Sequence, residues 1–156
     1  MRPSASTFGD FKCAHCQITV SSAHFLSAVN NRNHCPYCLW SCHLDLYAAG
    51  DRLSACKGLM KPVGLTLKMG RNKYQRDARG ELMMVHECVE CGALSINRIA
   101  ADDDPSNILA VFESSIESPV HARCEAQGIR TLKAGDLHAI QRQMFGRSLE
   151  VKVQAW

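Results

Sequence analysis

NHCPYCLWSCH, residues 33 to 43, places three cysteines, two histidines and a tryptophan in eleven consecutive positions. A cluster of this kind is a disulfide knot, a reactive thiol site, a haem or iron–sulfur nest, or part of a zinc scaffold. The rest of the chain decides among them. It has 156 residues, nine cysteines, 46% hydrophobic residues and a formal net charge of +3. That length suits one domain, or a small metal-stapled domain with a helical appendage. No apolar run is long enough to span a bilayer, so no membrane partner is expected. The opening residues, MRPSASTFGDFK, lack the apolar core of a secretory signal and the pattern of a transit peptide, which makes the expected location cytoplasmic. In a reducing compartment, an odd set of nine cysteines points to metal rather than to disulfides.

Spacing sharpens the reading. Cys13-x2-Cys16, Cys35-x2-Cys38 and Cys88-x2-Cys91 are three knuckle pairs. A C-x2-C step aims both thiolates at one ion while neighbouring backbone N–H groups offset their charge. Two such pairs complete a closed tetrahedral zinc site, predicted at Cys13, Cys16, Cys35 and Cys38. A haem-attaching C-x-x-C-H, the compact ferredoxin repeat and a βαβ context for a redox C-x-x-C are all missing. Cys88 and Cys91 need two further ligands, from among Cys42, His43, Cys56, His86, His121 and Cys124. The preferred set is His43, Cys56, Cys88 and Cys91, because His43 lies far enough past Cys38 to face a second cage. Glycines also follow closely on Cys56 and Cys91, where a turn must close around metal. The pair His121-x2-Cys124 is the competing way to complete the site. Cys42 reads as a small buried hydrophobe. Two zinc ions per chain are therefore expected, their binding energy acting as folding energy for a region with little core of its own.

PVGLTLKMG from Pro62 reads as a strand, residues 70–80 as a polar excursion, and ELMMVHEC as a second strand. Ser106 is a candidate cap for a helix through Ile108, Leu109, Val111 and Phe112. Pro119 breaks or restarts the helix, Gly128 stops HARCEAQG, and Asp136 opens a last helix ending at Gly146. LEVKVQAW is a candidate final strand. The predicted fold is α+β: a flexible N-terminus over 1–10, a small double zinc-ribbon-like β domain over 11–104, and a helical extension over 105–156. Tyr37, Leu39 and Trp40 are expected in a mini-core. Asp102, Asp103 and Asp104 read as a solvated turn or helix lead-in rather than a magnesium site, with Arg98 as their salt-bridge partner.

Charge is uneven. Residues 57–79 hold seven basic side chains and one acid, whereas residues 80–156 hold seven basic and eleven acidic ones. The basic group, Lys57, Lys61, Lys68, Arg71, Lys73, Arg76 and Arg79, with Tyr74 to stack on a base, suits a phosphate backbone. A merely solvated loop is the plainer alternative. No catalytic residues are expected. The H-x-E…P-C-x-x-C pattern of zinc deaminases, H-E-x-x-H and the glycine-rich phosphate loops are all absent. A zinc enzyme of unknown reaction stays as a third reading, in which His86 or Glu87 would act as acid or base.

Arg32-Asn33-His34-Cys35-Pro36 spells RNHCP. Together with FKCAHC, RNHCPYCLWSCHLD, GDRLSACKGLMKPVG and HECVECGALSINRIAADD, in that order, it resembles the RNHCP domain family from about Phe11 to Asp104. The resemblance implies a metal-binding domain with Cys13, Cys16, Cys35, Cys38, His43, Cys56, Cys88 and Cys91 as the matching Cys/His positions. It also marks Arg32, Asn33, Arg52, Met60, Pro62, Asn97 and Arg98, and names no reaction. One departure stands out: where the family tends to run Gly-Asp-Asp-Asn after NRIA, this chain has Ala101-Asp102-Asp103-Asp104. The expected function is a non-catalytic zinc module that binds structured RNA, as in a ribosome-associated protein, with Arg32 and Asn33 as further contacts. The rival is a protein-interaction adaptor working through the C-terminal helices.

Overall fold

Four antiparallel strands in chain order form the main sheet of this computed structural model, which describes residues 9–30, 32–48, 50–68 and 80–145. They are β3 (Ser41–Cys42), β4 (Leu59–Lys68), β5 (Glu81–Cys88) and β6 (Leu94–Arg98). A separate two-stranded ribbon, β1 (Phe11–Lys12) with β2 (Thr19–Val20), carries the first knuckle, and a single helical turn, α1 (His24–Ser27), follows it. Three helices come after the sheet: α2 (Pro105–Ser115), α3 (Val120–Ala126) and α4 (Leu137–Phe145). The architecture is α+β with zinc-ribbon-like sites. Gly146, the basic residues 71–79, LEVKVQAW and most of the segment expected to be a flexible N-terminus lie outside the described residues.

Residues 82–86 are apolar or histidine without alternation because β5 is covered on both faces. Leu82 and Met84 join Leu65, Leu39, Ile108, Phe112 and Ile140 in the main core, while Val85 packs with Val120 and Cys124 of α3. The expected strand from Pro62 begins three residues earlier, at Leu59, and carries a bulge between Pro62 and Gly64. Proline has no ladder donor. It is tolerated here because β3 pairs only with Leu59 and Met60, which leaves that side of β4 open at Pro62. Residues 105–145 pack on the sheet, since one apolar cluster contains residues from both.

The acidic turn starts α2. Asp104, rather than Ser106, is the N-cap: its carboxylate accepts the Ser106 N–H at 2.9 Å, with Pro105 in the first turn. Ala101 is not among the described residues with positive φ, so the turn tolerates its departure from glycine.

The RNHCP stretch ties the second knuckle to this turn. Arg32 forks onto Asp102 at 2.7 and 2.8 Å and also bonds the His34 carbonyl. His34 Nε2 meets Asp103 at 2.7 Å, and Asp103 accepts the Ala100 N–H. The Asn33 amide donates to the Cys42 carbonyl, and the Pro36 carbonyl accepts the Asp104 N–H. Arg98 pairs instead with Glu81, across the β5–β6 edge. A sequence reading that matched Arg98 to the acids by proximity in the chain missed an arginine 70 residues away.

Candidate metal centres

Each C-x2-C pair is built on the same backbone turn. The first cysteine N–H reaches the carbonyl five residues on: Cys13 to Ile18, Cys35 to Trp40, Cys88 to Ala93. Its own carbonyl accepts the N–H four residues on, from Gln17, Leu39 and Gly92. Those three residues share a left-handed conformation, with φ of 68°, 66° and 76°. Only the third is glycine, so the turn is worth enough to hold two L side chains where they are disfavoured. Backbone N–H groups of Cys16 and Tyr37 lie 3.4 Å from the Cys13 and Cys35 sulfurs, the donors a bound thiolate needs.

Two four-ligand sets result, Cys13, Cys16, Cys35 and Cys38, and His43, Cys56, Cys88 and Cys91, with the ligand atoms of each set within 4.8 Å of one another. A tetrahedral zinc with bonds of about 2.3 Å to sulfur and 2.0 Å to nitrogen sets two sulfurs about 3.8 Å apart, and a sulfur and a nitrogen about 3.5 Å apart. The sulfurs of Cys13 and Cys38, and of Cys16 and Cys35, are 3.6 Å apart. Cys56 and Cys88 stand at 3.7 Å, and Cys91 Sγ lies 3.3 Å from His43 Nδ1. These separations fit zinc and are far too long for disulfides. Two zinc ions per chain are the cofactors this chain is built for. Four protein ligands per ion fill the tetrahedron, which is the arrangement of structural zinc.

The second set is closed by the sheet. His43 follows β3, Cys88 ends β5, and the His43 N–H and carbonyl pair with the Gly58 carbonyl and the Lys57 N–H around Cys56. Gly58 is needed here for closeness, not for a tight turn. A Cβ there would stand 2.6 Å from Glu90 Cγ and 3.0 Å from Cys88 Sγ. Burial opposes the Cys88 thiolate, but N–H groups of Cys91 and Glu90 and the thiols of Cys91 and Cys56 outweigh it and bring its pKa to about 7.

The competing ligands are placed elsewhere. Cys124 is buried in the apolar cluster with Val85 and Val120, and His121 bonds Thr131 and the Ser115 carbonyl. Cys42 belongs to neither set. His86 is fully buried, its Nε2–H donating to the Leu39 carbonyl and its Nδ1 accepting from Asn97. Burial drives its pKa down to about 3, so it serves as a neutral strut. Glu87 is held by Arg123 at 2.7 Å.

Of the residues expected to meet nucleic acid, Arg32, Asn33 and Lys57 line one cleft. Arg32 is buried and bound to Asp102, and Asn33 is bound to the Cys42 carbonyl, so both hold the fold together. Lys61 and Lys68 are exposed but stand directly across from Glu87 and Glu81 on β5, where opposite charges offset one another. Lys57 is exposed beside the second metal set. Arg71, Lys73, Tyr74, Arg76 and Arg79 lie outside the described residues. Of the expected mini-core, Leu39 is buried in the main core, Tyr37 is exposed, and Trp40 is half-buried with its ring stacked on His15.

A small sheet domain closed by two Cys/His metal sets, one of four cysteines and one of three cysteines with a histidine, is a zinc-binding module of ribbon type. The RNHCP domain matches residues 8–109, and the chain belongs to that family. No curated protein and no solved structure matches it. No described helix is long and apolar enough to cross a membrane.

Proposed function

We propose that this is a non-catalytic, zinc-stabilised module that binds structured RNA, within a ribonucleoprotein such as the ribosome, in the cytoplasm. The observation that carries the reading is the charge of residues 57–79, seven basic side chains against one acid, bracketed by Cys56 and Cys88 of one metal set. Anchoring both ends of a basic segment on one cage lowers the entropy lost when it settles on phosphates. Lys61 and Lys68 face glutamates, so the weight of the binding falls on Lys57, Arg71, Lys73, Arg76 and Arg79, with Tyr74 for stacking. What weighs against the adaptor reading is that Ile108 and Phe112, on the apolar face of α2, are buried in the protein's own core.

Binding of a structured RNA to the zinc-loaded chain at several salt concentrations tests the reading. Affinity should fall steeply with salt, with a log–log slope of about −0.7 to −0.9 per phosphate neutralised. Changing Arg71, Lys73, Arg76 and Arg79 together to glutamine should shallow that slope while two zinc ions remain. An unchanged slope, or no binding at low salt, would overturn it.

A further inference from the structure

The two metal sets do more than close their own turns; they hold the walls of a cleft between them. This cleft measures about 450 Å³, within the range of about 300–1,000 Å³ typical of small-ligand pockets. Lys12 and His15, on either side of Cys13, stand on one wall, and Lys57, next to Cys56, stands on the other. Trp40, two residues past Cys38, forms part of the lining with Leu59. Arg32 and Arg52 also line it, each paired with a carboxylate outside the lining, Asp102 and Asp45, and no carboxylate lines the space itself. Among the described residues neither Lys12 nor Lys57 makes an ion pair.

The imidazole of His15 lies flat against the Trp40 indole, with ring centroids 4.0 Å apart and planes 3° from parallel. The outer face of this stacked pair, in an apolar recess whose charged lining groups are all cations, has the complementarity of a planar, neutral ring attached to phosphates. An inorganic anion would not need the platform, and an acidic peptide would not match its flatness.

We infer that this cleft accepts one unstacked nucleobase of single-stranded RNA, stacked on the His15–Trp40 pair, with the flanking phosphates on Lys12 and Lys57. The inference rests on the RNA-binding reading and adds to it a second contact, separate from residues 71–79, that requires an unpaired nucleotide beside the structured part. Stacking platforms of this kind are sequence-tolerant, because every base offers a π-face.

The chain has two tryptophans, and Trp156→Phe leaves Trp40 as the only one, so its emission can be excited selectively. Zinc-loaded Trp156→Phe protein is titrated with a tetraribonucleotide, its DNA counterpart, AMP and inorganic phosphate. The tetraribonucleotide should quench Trp40 saturably and AMP more weakly, while phosphate alone leaves the emission unchanged. His15→Ala, an exposed change that spares every metal ligand, should weaken binding of a labelled tetraribonucleotide about 5- to 150-fold, as loss of one stacking partner does. Lys12→Gln with Lys57→Gln should weaken it and shallow its salt dependence, zinc content staying at two. Equal quenching by the DNA counterpart supports the base platform and assigns no recognition to the sugar. Quenching by phosphate alone, or RNA binding with neither quenching nor an effect of His15→Ala, overturns the cleft proposal and leaves the RNA reading standing. Quenching by AMP in a chain that binds no longer RNA overturns the RNA reading, and this inference with it, and leaves the cleft as a site for a free nucleotide.

Discussion

Arg32→Met removes a guanidinium from the interior while keeping most of its length. The side chain of Arg32 is 2% exposed, that of Asp103 is 0% and that of Asp102 29%. Without the arginine, Asp102 loses both hydrogen bonds of its fork, and Asp103 keeps only His34 and the Ala100 N–H. Removing one member of a buried pair costs about 3–5 kcal/mol, because the other charge is left without compensation. Partial exposure of Asp102 places this case at the low end, about 3 kcal/mol. In a domain of this size that corresponds to roughly 6–12 °C in melting temperature. The assay is thermal unfolding at fixed excess zinc, so that metal linkage is constant. Adding Asp102→Asn should return part of the loss, giving a coupling energy in a double-mutant cycle. A shift within about 1 °C, or strict additivity of the two changes, would refute the buried-pair reasoning. It would return Arg32 to the role of a surface contact.

Zinc content separates the ligands from their neighbours: Cys56→Ala should lower it from two ions to one, whereas Cys42→Ser should keep both, by elemental analysis of protein purified without added metal. Gly58→Ala should also weaken the second set, since the new Cβ would press on Cys88 Sγ and Glu90 Cβ, each at 3.0 Å; competition with a chromogenic chelator measures the lost affinity. Asp104→Ala removes the cap of α2 and should cost about 1 kcal/mol in denaturant midpoint experiments with zinc held constant. Gln17→Gly relieves a left-handed L residue in the first knuckle and should stabilise the protein by about 1 kcal/mol, whereas Gly92→Ala should cost a similar amount.

The metal scaffold was legible because thiolate chemistry fixes spacing: C-x2-C is local, and ligand type narrows the partners. His43 could be chosen from its position past Cys38, whereas Cys56 was marked by Gly58 for a tight turn; that glycine answers a close approach across strands, which has no local signature. β5 was found with its bounds because its apolar run is long, while β6 was missed: LSINR shows neither a continuous apolar run nor charge alternation, and its side chains are only half-buried. The buried ionic cluster could not be read. Arg32, Asp102 and Asp103 are polar residues that in isolation belong outside, and only tertiary pairing explains their burial. The basic run from residue 57 was read as one lobe, but charge counted along a strand ignores what the next strand sets opposite, here Glu87 and Glu81. The cleft at His15, Trp40 and Lys57 was hidden for a related reason, because its walls come from two metal turns that adjoin only after folding. The one hint was that Lys12 and Lys57 each sit next to a ligand cysteine.

The second metal set also has a bearing on how the sheet finds its alignment. Its ligands follow β3 at His43, precede β4 at Cys56 and end β5 at Cys88, and the strands are paired so that Cys42 faces Leu59 and Met60 faces Cys88. Sliding β5 by one residue would turn the Cys88 side chain to the opposite face. Sliding it by two would keep the face but carry the sulfur about 7 Å along the strand. That displacement exceeds the 4.8 Å within which all four ligand atoms lie. A bound ion therefore accepts one alignment of the hairpin and rejects its neighbours. The pairing of β4 with β5 is set by a coordination sphere at its base, so the stretch between Lys68 and Glu81 is free to vary in length and charge without misaligning the strands.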